Sequence, residues 1–312
     1  MIRRPPRSTP SNSSAASDVY KRQDIGSVIL TDAGELYVDI SRDEFNRIRR
    51  VFLFISESGE IHAVPEGGVW NGLKIRGETE GLPPSVNLLS AQELLGVEAS
   101  KPDEIYNALL DILKDYVIFA RPEYTKITVL WTLYTWLRTL FPKNINIYFL
   151  GFPGTGKSQA LRFVKTFGRY PVDYDPTNLK SVKWAIHNSL GFLAIDEAEY
   201  ITKVVAARLR KLHESGVYES RMMGLPVIGL TSIEIRVDAP LAIAATHVPP
   251  DIALMQRGVI IRMVKRRPRL KDLSQIPFAP QLRLTVARTM LSSWKTVRDK
   301  KAEVIKKMEE MD

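Results

Sequence analysis

The chain has 312 residues, 45% hydrophobic and 25% charged, with 44 Lys and Arg against 35 Asp and Glu for a net charge of +9, and no cysteine. The missing cysteines exclude disulfides and thiolate metal sites, and the four histidines show no metal-ligand spacing. The most apolar run, residues 127–141, is short for a bilayer span and contains Arg138, so it reads as a core helix and an intracellular, cytoplasmic protein is expected, with no membrane partner.

Residues 1–23 look unlike anything a fold would need. Met1–Thr9 and Ser13–Gln23 match, in one reading frame, the translation of library adapter oligonucleotides, so residues 1–23 are expected to be an artefact without ordered structure. A basic, Ser-rich arm or a transit peptide is the alternative. On the adapter reading, Asp24 is expected to be an internal residue of a longer protein. The segment carries five basic side chains and one Asp, which leaves +5 on the other 289 residues. That charge permits a DNA-binding channel without demanding one.

Residues 24–75 alternate short β-prone runs (28–30, 36–38, 51–54) with turn signals such as Asp32-Ala33-Gly34 and Ser58-Gly59, which predicts a small β-rich module, truncated at its start. Residues 76–102 carry a Gly-Leu-Pro-Pro turn and read as a linker with one short helix. From 102 to 141 the pattern is helical, with Asp103 as a cap for the first helix and a second helix over about 125–140. In the second helix Ile127, Leu130, Trp131, Leu133, Tyr134 and Leu137 form a wide apolar stripe, which would either face a partner or pack on the following domain.

The most informative run is residues 144–158, an apolar strand pattern feeding into Gly151, Phe152, Pro153, Gly154, Thr155, Gly156, Lys157 and Ser158. These fit the GxxxxGKS phosphate-binding loop at every fixed position, and the helical pattern from Gln159 to Gly168 supplies the context the motif needs. The loop's backbone N–H groups, including that of Gln159, would cradle the phosphates of ATP. Lys157 would reach the β/γ oxygens and Ser158 a magnesium ion. Strand patterns at 170–174, 191–196, 241–245 and 259–264 alternate with helical ones near 179–189 and 201–215. Such alternation predicts an α/β fold, a parallel sheet with helices on both faces. The strand ending in Asp196-Glu197 supplies a carboxylate for magnesium, Asp196, and a second, Glu197, to orient and deprotonate water.

Residues 103 to 269 resemble the AAA+ or superfamily 3 helicase-like P-loop ATPases that accompany primases in phages, viruses and integrated elements. The resemblance rests on Leu130-Trp131 and Thr135-Trp136 before the loop, on Asp196-Glu197-Ala198-Glu199, on the helix ending near Gly216-Val217-Tyr218, and on Gln256-Arg257 with Arg262-Met263. It implies an AAA+-like domain over 103–268 and a helical lid or tail over 269–312. It further implies that Thr246 or His247, at the end of the strand 241–245, senses the γ-phosphate. By the same resemblance Arg257 is an arginine finger reaching a neighbour's phosphate in a homo-oligomeric ring, unless it pairs with an acid of its own subunit. The run 217–237 reads as two strands round Gly224-Leu225-Pro226, either a hairpin whose Arg221 and Arg236 grip DNA in a central channel or one that closes the sheet. Two departures stand out: residues 216–220 lack a basic cluster, and no primase motif is visible. The resemblance therefore implies an ATP-hydrolysing, magnesium-dependent helicase or translocase on single-stranded or forked DNA, with a primase or other replication protein as partner. A nucleotide-switched loading scaffold and a protein-remodelling ATPase are the alternatives.

Overall fold

The computed structural model describes residues 60–64, 89, 93–141, 143–174, 182–183, 185–186, 191–213, 237–247, 251–265, 276–301 and 303 with their side chains, and further strands and helix turns by backbone alone. The β-prone runs near the N-terminus form an antiparallel meander of β1 (Leu30–Thr31), β2 (Gly34–Arg42), β3 (Ile48–Ile55) and β4 (Ile61–Pro65), in that order. A two-stranded pair, β5 (Val69–Trp70) and β6 (Leu73–Lys74), follows.

Three helices come next: α1 (Ala91–Leu95), α2 (Pro102–Tyr116) and α3 (Pro122–Leu137). Helix α2 buries Ile105, Leu109 and Leu113, one stripe at four-residue spacing. Its N-cap is Lys101, not Asp103 as the sequence suggests, because Pro102 fixes the first helical position and leaves Asp103 inside the first turn. Glu104 reaches back to accept from the Lys101 N–H at 3.3 Å.

Helix α3 is buried on more sides than a stripe allows. Thr128 and Thr132 lie in the core, each hydroxyl donating to the carbonyl four residues earlier at 2.8 Å, so neither is left unsatisfied. Of the predicted stripe, Leu130 is 55% exposed while Trp131, Leu133 and Leu137 are buried. The Trp131 indole donates to the Ile145 carbonyl at 2.7 Å and that of Trp136 to the Phe167 carbonyl at 2.9 Å. The helix is therefore packed on the neighbouring sheet domain.

That domain contains a five-stranded, all-parallel sheet made of β7 (Asn146–Leu150), β8 (Pro171–Asp173), β9 (Phe192–Ile195), β12 (Leu241–Ala245) and β13 (Gly258–Arg262), in spatial order β13-β7-β12-β9-β8. Helix α4 (Lys157–Phe167) packs on one face with α3 and α7 (Ala279–Ser292). On the other lie α5 (Lys203–Arg210) and α6 (Ile252–Met255), the latter meeting the Tyr148 hydroxyl, which donates to the Leu254 carbonyl at 2.6 Å. Every residue of β7, β9 and β12 is buried, as continuous apolar strands of a sheet covered on both sides require. This is the α/β architecture expected of a P-loop domain.

After β7 the chain runs to the far edge, returns through β9, and enters the slot beside β7 as β12. The reversal opens a crevice at the C-terminal ends of β7, β12 and β9, the place where sheets of this kind bind ligands. Helix α7 lies against α1, α2, α3 and α4 and buries Val286, Ala287, Met290 and Leu291, and α8 (Trp294–Glu309) follows it.

Between the 3-10 turn Lys211–His213 and Val237, the hairpin β10 (Tyr218–Leu225) and β11 (Gly229–Arg236) forms its own two-stranded ladder. Its roots are fixed in the core. Arg138 and Asp238 form an ion pair at 2.7 Å with side chains 1% and 0% exposed, and the buried Asn144 amide donates to the Leu212 carbonyl at 3.0 Å. Among the described residues no helix is long and apolar enough to cross a membrane.

Candidate functional site

The site begins where β7 ends. Gly151 donates its N–H to the Ala245 carbonyl of β12 at 3.2 Å, while the Met263 N–H donates to the Leu150 carbonyl at 2.7 Å. The loop's first glycine thus sits between two strands. A Cβ on Gly151 would lie 2.7 Å from the Met263 carbonyl oxygen and 2.9 Å from Thr155 Oγ1, so only glycine fits. Gly154 and Gly156 hold φ of 75° and 89°, the left-handed region, and nothing stands within 4 Å of where a Cβ of Gly154 would be. The loop therefore turns sharply, with open space beside Gly154.

Phe152 and Pro153 are exposed, with the Phe152 ring at 80%. The Phe152 carbonyl accepts from Thr155 Oγ1 at 2.8 Å and from Lys157 Nζ at 3.1 Å, which folds the ammonium over the loop. An incoming phosphate would compete with that carbonyl for the same charge. Gly156 caps α4, so Lys157, Ser158 and Gln159 form its first turn, where free N–H groups and the helix dipole favour an anion. Gln159 Oε1 is buried with no hydrogen-bond partner among the described residues.

Strand β9 delivers the carboxylates. Asp196 Oδ1 accepts from Ser158 Oγ at 3.4 Å and from the Glu197 N–H at 3.0 Å. A hydroxyl and a carboxylate within reach of each other, beside a glycine cradle, are the oxygen donors a magnesium ion takes when phosphates complete its shell. Among the described residues there is no group of three His, Cys, Asp or Glu that could hold a metal by itself. Glu197 has φ 53° and ψ 43°, an unusual backbone state for a residue with a side chain, and it is exposed. Such strain tends to be kept where the side chain's direction matters.

Strand β12 lies between the loop strand and the carboxylate strand, so Thr246, the residue after Ala245, falls between the two. Its Oγ1 is 3.0 Å from His247 Nδ1, and its N–H donates to Glu199 Oε2 at 3.3 Å. Both sensor candidates therefore reach the crevice edge, with Thr246 the more enclosed and His247 exposed. Glu199 was not singled out by its sequence position. The only signal was a third acid in the turn after Asp196-Glu197. Desolvation acts to raise its carboxyl, but hydrogen bonds from its own backbone and from the Thr246 backbone and hydroxyl, with the charge of Lys157, hold it below the usual value.

Arg257 is placed elsewhere. It precedes Gly258, which pairs with Asn146 at the start of β7, and the Asn146 N–H donates to the Arg257 carbonyl at 3.0 Å. The phosphate loop leaves the other end of β7, roughly 13 Å away at the rise of a parallel strand. The Arg257 guanidinium donates to the Arg210 carbonyl at 2.6 Å, and among the described residues it pairs with no acid. The salt bridge there belongs to Arg210, with Asp251 at 3.5 Å. Arg221 pairs with Ile233 and Arg236 with Tyr218 in the hairpin ladder, so these positions belong to opposite faces of the ribbon, and their side chains lie outside the described residues.

No protein-family model matches the chain, and no curated protein matches it. Among solved structures the chain is similar to the A-form apo structure of the NrS-1 C-terminal region, at TM-score 0.42 and 14% identity, covering 84% of this chain and 72% of that one. A second apo structure, of NrS-1 C-terminal region 305–718, matches at TM-score 0.35 and 12% identity over 82% of this chain and 65% of that one. At these values neither likeness carries an argument about activity.

Proposed function

We propose that the chain is a magnesium-dependent P-loop ATPase that works as a homo-oligomeric ring on single-stranded or forked DNA. On this reading it serves the replication of a mobile element, beside a primase or other replication protein. The observation that carries the ATPase reading is the meeting of Ser158 and Asp196 at 3.4 Å, beside a loop that is open at Gly154. Two elements 38 positions apart in sequence converge there at the C-terminal edge of the sheet.

The chain's own residues divide the work. The N–H groups of the loop and of the first turn of α4 bind the phosphates, and Lys157 turns from the Phe152 carbonyl to the β/γ oxygens. Ser158 and Asp196 would hold magnesium, which supplies charge neutralisation on the phosphates. Glu197 orients the attacking water and accepts its proton, and Thr246 fixes the γ-phosphate side of the crevice, with His247 on its hydroxyl. Arg257 is too far from its own loop to serve it, which supports action on a neighbouring subunit's phosphate after release from the Arg210 carbonyl.

The DNA part of the proposal rests on the resemblance and on a hairpin that stands apart from the sheet with its roots locked in the core. It is tested by ATP turnover with and without single-stranded DNA. Turnover should rise several-fold with DNA, and Arg257→Ala should lower it in the assembled protein. Lack of stimulation by any nucleic acid would remove the DNA reading and favour a nucleotide-switched scaffold or remodelling ATPase.

A further inference from the structure

The turn after β9 holds one acid that the proposed chemistry does not use. Glu199 sits in the 3-10 turn Ala198–Tyr200, whose Ala198 is fully buried. Its Oε2 accepts from the Thr246 N–H at 3.3 Å, across from its own strand to the end of β12. The ladder of β9 with β12 ends at Ile243 and β12 itself ends at Ala245, so this bond ties the turn after β9 to the end of β12 by a side-chain link beyond the ladder. Ala245 in turn accepts from the Gly151 N–H at 3.2 Å. The carboxylate turn, the Thr246 strand end and the phosphate loop are thereby connected in one chain of bonds.

The geometry points to Glu199 as a positioning residue that holds Thr246 in place relative to Asp196 and Glu197, and so supports ATP hydrolysis without binding nucleotide. This inference rests on the ATPase reading above. It differs from a catalytic assignment because Glu199 is already engaged by Thr246, whereas Glu197 is the exposed acid of the turn. Against desolvation, those bonds and the charge of Lys157 favour its carboxylate form, which suits a hydrogen-bond acceptor.

The distinction gives different outcomes for two substitutions. Glu199→Ala removes the acceptor and frees the Thr246 amide. Glu199→Gln keeps an oxygen acceptor of the same reach and loses only the charge. Two readouts are taken on the full chain: ATP kinetics, and hydrogen exchange of the segment containing Thr246 without nucleotide. Glu199→Ala should lower kcat about 10-fold or more with KM within about 2-fold. It should also speed exchange at Thr246 by about 10-fold, and Glu199→Gln should recover most of both effects.

Unchanged exchange in Glu199→Ala would overturn the link itself, whatever the turnover. A Glu199→Gln variant as inactive as Glu199→Ala would overturn the positioning role in favour of acid–base chemistry. A rise in KM with kcat kept would overturn it in favour of nucleotide binding. Failure of the ATPase reading is separable, because it appears as wild-type turnover that is absent or indifferent to Lys157→Ala, before any Glu199 variant is compared. Thermal melts of both variants show whether lost activity follows lost folding, and the isosteric Glu199→Gln keeps the comparison open if Glu199→Ala unfolds.

Discussion

Gly151 shows how a motif position becomes a structural necessity. The sequence placed it as the first glycine of a phosphate loop, but the reason it cannot carry a side chain lies in β13, whose exit at Met263 passes over it. That contact joins residues 112 positions apart, which spacing alone does not reveal. Gly151→Ala is expected to destabilise the protein by about 1–3 kcal/mol, since backbone and not a flexible side chain must give way. A urea unfolding series on the purified variant measures this. The positions of the loop, of Asp196 and of the Thr246–His247 pair were legible because each follows an apolar run. The place of Glu199 was not, because its partner Thr246 follows a strand that arrives 47 residues later. Tyr134 is a second case. Burial pushes its hydroxyl up to about 12 from 10.0, against a lowering hydrogen bond from the Ile145 N–H and the charge of Arg138. The folded chain keeps that proton where the unfolded chain has released it. This contribution to stability is therefore full below pH 10 and is lost as pH rises from 10 to about 12. Alkaline unfolding followed by circular dichroism should show a shallower loss over that window in Tyr134→Phe.

At the scale of elements, strand existence was legible from apolar runs and helix α4 from its motif. That α3 packs on the sheet domain was one of the two readings of its stripe, but how many of its sides are buried was not legible. A stripe of Ile, Leu and aromatic residues suggested one buried side, yet its threonines are in the core with their hydroxyls turned to carbonyls of the same helix, so polar letters concealed buried positions. The hairpin was visible as two strands, but its turn was misplaced, because Gly224 and Leu225 pair with Leu230 and Gly229 inside the ladder, and its attachment was not visible. Arg138, at the end of α3, and Asp238, just after β11, are 100 residues apart and meet in the interior. A two-stranded ribbon is marginal alone, so fixed roots are what give it a definite direction. Asp238→Ala leaves a buried guanidinium without this partner and is expected to cost about 3–5 kcal/mol. Asp173→Ala, which breaks the exposed pair with Lys165 at 2.6 Å, should cost under about 1 kcal/mol. Chemical denaturation of the two variants side by side checks the contrast.

For the whole molecule, alternation of strands and helices gave the α/β class, while the order β13-β7-β12-β9-β8 had to come from the structure. That order decides the functional account. It sets β12 between loop and carboxylates, which brings Thr246 to the crevice, while Arg257, just before the parallel strand β13, lies at the opposite end of the sheet. The central claim is that this crevice hydrolyses ATP with Glu197 as the base. The most direct measurement is steady-state ATP turnover with magnesium, paired with equilibrium nucleotide binding, for the wild type, Lys157→Ala and Glu197→Gln. The account predicts that Lys157→Ala loses binding, and that Glu197→Gln keeps binding but loses turnover by about 10²-fold or more. Wild-type turnover undiminished in Glu197→Gln, or no turnover in the wild type at all, would contradict it.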